Sequence, residues 1–486
     1  MTVDAAAVRT AVRESARPTD WWIAPTVPLL AAAIAFGWYL HGDLQRLYGM
    51  TGSAWDLAYD QQVIWNVSTG HGFYSSFARA DFLGIHFEPI FIVLAAVEKF
   101  WPNPVVLIVF SAAGLAATAP AGFLFFRALL PADRRESPWL AIALSAPIPF
   151  GAAIQEAARD LFHPENMGLA LALLAVWAGI RGHRVLMWAL CLLVLTCKED
   201  QVYTVGVIAL LMSVYGAPAI RKHWRFIGYL AAGWFLIMIL GVQQHIRNGG
   251  YSDFVYYSWL FHHPSPGALL SVVFRPIALL AVAAIIAGMF AMPLLAPRWL
   301  LLVIPPYLAD VLSGHDPQNL LYLHYILLLL FPLVVAGGVG ARKFLEMRSI
   351  RPEYALVALV PALLLSWGTG RFPPMSQTSG PANYTRPNTV AELEKAISII
   401  PADAPVSADN GLAVWLANRH TINDFPDKLD PTCYVVLQKD AYIQFRNPTD
   451  TTNPTVRQNA IDELASSGRR LLFDDGTFQV WSPAGD

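Results

Sequence analysis

Cysteine is nearly missing from this chain: Cys191, Cys197 and Cys433 are the only three in 486 residues, too few and too scattered for a disulfide framework or a zinc site. Charge is scarce as well. Asp, Glu, Lys and Arg make up 14% of the chain, against ~25% in ordinary soluble domains. The formal net charge of -2 leaves no basic surplus for nucleic acid, and no long basic run offers a patch for anionic lipid. A Walker loop, a paired Cys-x-x-Cys, His-Glu-x-x-His and a nucleophile elbow are all absent, so the commonest soluble-enzyme chemistries have no foothold. Apolar residues are what the chain has in quantity. They reach 55%, with a mean hydropathy of +0.44, the composition of a polytopic membrane protein.

Spanning takes about 20 apolar residues, and Lys and Arg collect in the cytoplasmic loops. Arg9, Arg13 and Arg17 precede the first apolar run and no small-residue cleavage site follows it, which predicts an uncleaved first helix after a cytoplasmic segment 1–20. Helices are then expected over about 21–40, 104–130, 138–154, 167–180, 185–197, 201–216, 227–243, 276–296, 299–313, 322–341 and 354–368, about eleven spans within 21–368. "FEPIFIVLAAVEKFW" (87–101) is short, interrupted by Pro89 and charged at Glu88, Glu98 and Lys99, so it suits an interfacial helix inside a first outer loop of 41–103. With that assignment "RALLPADRRESP", "RGHR", "AIRKHWR" and "RKFLEMRSIR" all fall inside.

From about residue 369 the composition changes to a Pro/Gly/Ser/Thr/Asn linker, 369–390. Residues 391–486 alternate strand-like "APVSAD" and "CYVVLQ" with helical "GLAVWLANR" and "TVRQNAIDELASSG", and end in a hairpin turning at Asp475-Gly476. The fold class is therefore an α-helical polytopic membrane protein with a small C-terminal extracytoplasmic α/β domain, large enough for its own modest core.

Costly ionisable residues fall mainly on the outer side of this topology, as do all the twelve histidines except His183 and His223. The first outer loop holds Asp56 and Asp60, four apart and so on one helix face, beside Trp55, Tyr59 and Trp65. The bland alternative is a solvated face or an N-cap. "QEAARDLFHPENM" holds Arg159, Asp160, His163 and Glu165, either functional or a capped loop before a helix. "KEDQ" (198–201) is a polar cluster or a self-neutralising helix end, and His324 with Tyr325 suits packing as well as binding.

"WDLAYDQQVIWN" (55–66), "FLGIHFEPIF" (82–91), "FHPEN" (162–166), "KEDQ" and "LHY" (323–325) together resemble the GT-C superfamily of polytopic glycosyltransferases, and more narrowly an uncharacterised bacterial membrane-protein family grouped with it. The resemblance implies a GT-C-like fold in a bacterial cytoplasmic membrane and a polyprenyl-phosphate-linked sugar donor. A glycan, lipid or protein would be the acceptor. It also implies an essential first-loop aspartate, Asp56 with Asp60 as alternate, and a second acidic group in the next outer loop, Asp160 or Glu165. The acidic-x-acidic pair of better-known members has no clear counterpart here. A divalent metal, Mg or Mn, would find candidate ligands in Asp60, Asp160, His163 and Glu165.

The chemistry asks for the same groups. Transfer from a polyprenyl phosphate needs a base for the acceptor hydroxyl, and a carboxylate among aromatic side chains suits that task. It also needs positive charge for the departing phosphate, from Arg159, Lys198, Arg247 or Arg275. His86, His163, Glu199, His324 and Tyr325 are further substrate-binding candidates, and Trp55, Trp65 and Trp259 could stack on sugar faces. Two rivals are a transporter, for which Pro305, Pro306 and Asp310 in the ninth helix speak, and a non-catalytic scaffold or sensor displaying its C-terminal domain. A two-carboxylate hydrolase is a further alternative.

Overall fold

Unbroken apolar runs become helices, and Pro and Gly mark where they stop or bend. The structure, a computed structural model, describes residues 18–51, 54–248, 255–348, 389–427, 429–439 and 454–485, with isolated positions between 351 and 364. Helix α1 (Pro18–Tyr48) leads into a π-helical turn at Ala54–Ala58 and then α2 (Tyr59–Thr69). Gly70, at φ 86, ends α2 by turning its N–H back onto the carbonyls of Asn66 and Val67. A short hairpin, β1 (Tyr74–Ser75) with β2 (Ala80–Asp81), and α3 (Phe91–Glu98) complete the first long connection. The eight residues of α3 cover about 12 Å, far less than the ~30 Å hydrocarbon core. This stretch does not cross.

The bundle continues through α4 (Val105–Leu129), α5 (Ser137–Ser145), α6 (Ala152–Ala157), α7 (Glu165–Arg181), α8 (Arg184–Cys197), α9 (Val202–Tyr215) and α10 (Trp224–Gly233). It closes with α11 (Pro266–Val273), α12 (Pro276–Gly288), α13 (Ile304–Val311) and α14 (Leu327–Met347). Among the described residues six stretches are long and apolar enough to cross a membrane: Pro25–Tyr48, Val105–Leu129, Ser137–Asp160, Trp224–Arg247, Pro266–Gly288 and Asp316–Met347. The expected eleven are not reached on this measure. α7, α8 and α9 run only 17, 14 and 14 residues. The helix expected over 299–313 is broken into Pro297–Leu300, a 3-10 turn and the eight-residue α13, whose first turn holds Pro305 and Pro306, residues without the N–H that would continue a preceding helix. The helix expected at 354–368 and the linker lie mostly outside the described residues.

At one end of the bundle Arg342 Nη1 donates to Leu129 O at 3.0 Å and Lys343 Nζ to Leu295 O at 3.1 Å. The opposite end gathers the first connection, the turn before α7, the turn between α8 and α9, and the Leu323–Ile326 turn before α14. At that end α4 and α7 touch closely: a Cβ on Gly114 would stand 2.6 Å from Asn166 O, and Asn166 Nδ2 donates to Ser111 Oγ at 2.8 Å. Gly114→Leu is expected to force the two helices apart and cost about 3 kcal/mol or more, read as a lower unfolding midpoint in detergent. An unchanged midpoint contradicts this packing.

The C-terminal unit comprises α15 (Thr389–Ile397), β3 (Val406–Ala408), β4 (Ile422–Asp424), β5 (Tyr434–Gln438), α16 (Pro454–Leu464), β6 (Leu471–Asp474) and β7 (Phe478–Trp481). Strand order is β4-β3-β5-β7-β6, with β3 parallel to both neighbours and the other pairs antiparallel. The hairpin turns at Asp475-Gly476, with Gly476 at φ 90.

The expected independent core is reduced to a small cluster beside a larger shared one. Leu393, Val406, Ala408 and Leu412 pack in one cluster with Leu47, Leu57, Val63 and Phe91 of α1 and the first connection, while Phe425, Val435, Leu437 and Leu464 form a small separate cluster. Strands of three to five residues bury little by themselves. The sheet settles on the first connection so tightly that a Cβ on Gly411 would stand 2.0 Å from Met50 O.

Within this interface Gln61 Nε2 bridges Glu98 Oε1 at 2.5 Å and Asn418 Oδ1 at 2.7 Å. Burial pushes the Glu98 carboxyl from 4.5 up to about 7, against the hydrogen bond from Gln61. The folded chain thus keeps a proton that the unfolded chain releases, so stability falls as pH rises from 4.5 to about 7 and then levels off. Glu98→Gln is expected to remove that part of the slope. Unfolding midpoints measured across this range check it, and parallel wild-type and variant curves contradict it.

Candidate functional site

Three bends bring the polar residues together. Asp56 sits in the π-helical turn and Asp60 follows in the first turn of α2. Asp160 ends a 3-10 turn after α6, and Leu161, at φ 62, reverses the chain toward His163 and Glu165. Leu321 and Leu323, at φ 55 and 59, bend the chain before His324. Bulky side chains avoid positive φ, at a cost of about 1–3 kcal/mol each, and such strain gathers at functional sites.

His324 stands at the centre. Its Nδ1 lies 2.7 Å from Asp160 Oδ2, its backbone N–H donates to the same oxygen at 3.3 Å, and its Nε2 lies 3.3 Å from Lys198 Nζ. In the tautomer that satisfies both contacts Nδ1–H donates to Asp160 and Nε2 accepts from Lys198. Lys198 also makes a short ion pair with Glu165 Oε1. The His163 ring lies against His324 with centroids 3.7 Å apart, Tyr325 lies at 4.1 Å, and Lys198 Nζ stands 5.6 Å from the Tyr325 ring centre. His163 Nε2 is 3.7 Å from Asp160 Oδ2 and 4.0 Å from Asp56 Oδ1. Asp56, Asp160, His163, Glu165, Lys198, His324 and Tyr325 therefore form one contiguous group.

Electrostatics divides them. Asp56 keeps 28% of its side-chain surface, whereas Asp60 is 4% exposed. Burial, then the charges of Asp56 and Glu165, push the Asp60 carboxyl well above the usual range. Burial and then His324 hold His163 well below the ordinary imidazole value, so its ring is neutral at pH 7. Burial also lowers the Lys198 ammonium, but Glu165, Asp200 and Glu88 more than reverse it and the amine stays charged.

Beside this group His86 Nδ1 contacts Glu199 Oε1 at 3.1 Å, and Phe87 N donates to Glu199 Oε2 at 3.0 Å. Against burial, His86 holds Glu199 down at about 2, while burial followed by Glu165 and Asp60 raises Glu88. The three expected arginines are anchored in separate ways. Arg159 Nη1 reaches Glu156 at 2.5 Å, Arg247 Nε donates to Gly84 O at 2.6 Å, and Arg275 makes a short contact with Asn319. Asp310 accepts from Gln318 Nε2 at 3.1 Å, a structural partner for the acid that spoke for a transporter. Trp55 Nε1 donates to Asp424 Oδ2 at 3.2 Å and so ties the first connection to β4.

Two features escaped the sequence. Glu88 is visible in "FLGIHFEPIF" but has no partner at a telling spacing, and its neighbours Glu165 and Glu199 come from other turns. Asp424 and Asn410, which hold Trp55 and Ala54 N, lie more than 350 positions away and give no local signal.

Residues 46–469 match the model of a family described as "Predicted membrane protein (DUF2079)". Among solved structures the chain is similar to ArnT from Cupriavidus metallidurans bound to undecaprenyl phosphate, with a TM-score of 0.54, 11% identity, and coverage of 97% of this chain and 100% of that one. At that identity the likeness shows the fold alone. No curated protein matches the chain.

Proposed function

Since the chain belongs to the DUF2079 family of predicted membrane proteins and carries a GT-C-like fold, we propose that it is a membrane glycosyltransferase that moves a sugar from a polyprenyl phosphate to an extracytoplasmic acceptor. The observation that carries this reading is the contiguous group from Asp56 to Lys198 at the bundle end away from the basic loops.

Asp56 is the base. Asp60 is raised by burial and keeps its proton, so it can donate a hydrogen bond but not accept the acceptor's proton. In the reaction the acceptor hydroxyl gives its proton to Asp56 and its oxygen bonds to the anomeric carbon. The bond from that carbon to the phosphate oxygen breaks, and its electron pair leaves with the polyprenyl phosphate. Lys198, charged and buried, faces that developing charge, where a fixed cation in a water-poor site acts most strongly. Arg247 and His86 flank the first connection on the same side and are secondary phosphate ligands. Arg159 and Arg275, held by Glu156 and Asn319, shape the rim.

An apolar cleft lies between α5–α6, α12 and α14, lined among others by Leu144, Ile154, Ile285, Met289 and Leu330. Ile154 precedes Asp160 by six residues and Leu330 follows His324 by six, so the cleft opens about 9 Å along the helices from the polar group. An isoprenoid tail seated there places its phosphate at Lys198. Ile154→Trp is expected to fill the cleft and strip bound polyprenyl phosphate from the purified protein, as read by native mass spectrometry. Equal lipid retention by a folded variant, or no retention by wild type, contradicts the assignment.

A further inference from the structure

Resting on the reading of Asp56 as the base, we propose that Asn410 and Asp424 of the C-terminal unit are positioning residues for it, so that this unit completes the active site. Asp56 lies in the five-residue π-helical turn Ala54–Ala58, a rare geometry that gathers at functional sites. Such a turn cannot satisfy its own first N–H groups, so outside partners must. Asn410 Oδ1 accepts from Ala54 N–H at 3.3 Å, and Asp424 Oδ2 accepts from Trp55 Nε1 at 3.2 Å. Asn410 Nδ2 donates to that same Asp424 oxygen at 3.3 Å. A backbone N–H on one side and a carboxylate on the other leave the Asn410 amide only one orientation. The backbone at residue 54 and the side chain at residue 55 are thereby tied to one carboxylate, immediately before the base.

The sheet presents these two anchors together. β3 and β4 run parallel with Ala408 opposite Asp424, so Asn410 and Asp424 meet at the carboxyl ends of the strands. Open α/β sheets usually take a ligand at that end, and here the first connection occupies it. Further bonds hold the connection in place. Ser76 Oγ donates to Ile422 O at 2.6 Å and accepts from Ile422 N at 2.9 Å, and Gln62 Nε2 donates to His420 O at 3.0 Å.

Burial separates anchoring from packing. Asp424 is 2% exposed, whereas Trp55 keeps 43% of its surface. A tryptophan this open adds little to the core, so the grip of Asp424 on its N–H orients the turn more than it fills space. Asp56 Oδ1 stands 4.0 Å from His163 Nε2 at the end of that turn, and a misplacement of about 1 Å can cost roughly 100-fold in rate.

Two measurements on the full chain check this role, one without substrate. In hydrogen exchange in detergent, Asn410→Ala should speed exchange of the 54–58 segment about 5-fold, the usual worth of a lost cap. β5 and β7 should keep their wild-type rates. In the transfer assay Asp424→Leu should lower kcat roughly 100-fold with KM for the donor unchanged. Asp424→Asn keeps an oxygen for Trp55 Nε1 and should recover most of the rate. Trp55→Phe removes the N–H and keeps a ring, so adding it to Asp424→Leu should cost nothing more. If Asp424→Leu exchanges fast in β5 and β7, its fold is lost, and Asn410→Ala with Trp55→Phe decides the question. Wild-type exchange of 54–58 in Asn410→Ala, equal losses in Asp424→Asn and Asp424→Leu, or additive losses in the double variant overturn the role. No transfer by wild type sinks the base reading instead, and the exchange rates then still decide whether Asn410 anchors the turn.

Discussion

Lys198→Met is expected to lose both binding of the donor phosphate and a large part of the site's stability. The ammonium is buried between Glu165 and His324, so its removal leaves the Glu165 carboxylate without its counter-charge in a water-poor place. Breaking one side of a buried ion pair costs about 3–5 kcal/mol, which should be visible as a marked fall in the unfolding midpoint. Replacing both partners separates the two effects, because a buried pair exchanged for neutral groups of similar size is often neutral or stabilising. Lys198→Met with Glu165→Gln should therefore recover the midpoint and still fail to bind polyprenyl phosphate. Recovery of lipid binding along with stability would mean that Lys198 is structural.

Asp56→Asn should lower the rate of sugar transfer by roughly 100- to 10,000-fold, the usual worth of a positioned general base. Donor binding should change little, since Asp56 faces the acceptor in this account. Asp60→Asn makes the sharper comparison. Burial and the charges of Asp56 and Glu165 favour the protonated form of Asp60, and an amide keeps its shape and much of its hydrogen-bonding capacity, so the loss in Asp60→Asn should be far smaller. Rates measured side by side decide between the two aspartates, and an equal fall in both contradicts the assignment.

The residues that could be found in the sequence were those whose chemistry conflicts with their surroundings. Asp56 and Asp60 among aromatics, "FHPEN" after an apolar run and "KEDQ" at a helix end each signal a cost that needs a reason. The structure brings Asp56, Asp160, His163, Glu165, Lys198 and His324 into contact, while Arg275 is held on Asn319. What stayed hidden depends on long-range packing. Nothing local in "VSADNGLAVW" says that Gly411 will touch Met50, or that the C-terminal sheet will share most of its core with the first connection. Helix count was obscure for a related reason. An apolar composition marks α7, α8 and α9 as helices, but their short lengths follow from Gly182, Lys198 and Gly216 at their ends and from how neighbours pack.

The central claim is sugar transfer at the Asp56–Lys198 group, and the most direct measurement of it uses the wild-type chain reconstituted in liposomes with a labelled polyprenyl-phosphate-linked sugar. Glycan, lipid and peptide acceptors are offered in parallel. Label is expected to leave the lipid for one acceptor class at a rate that falls with Asp56→Asn and survives Asp60→Asn. Stable binding of the labelled donor with no transfer to any of the three classes would contradict it.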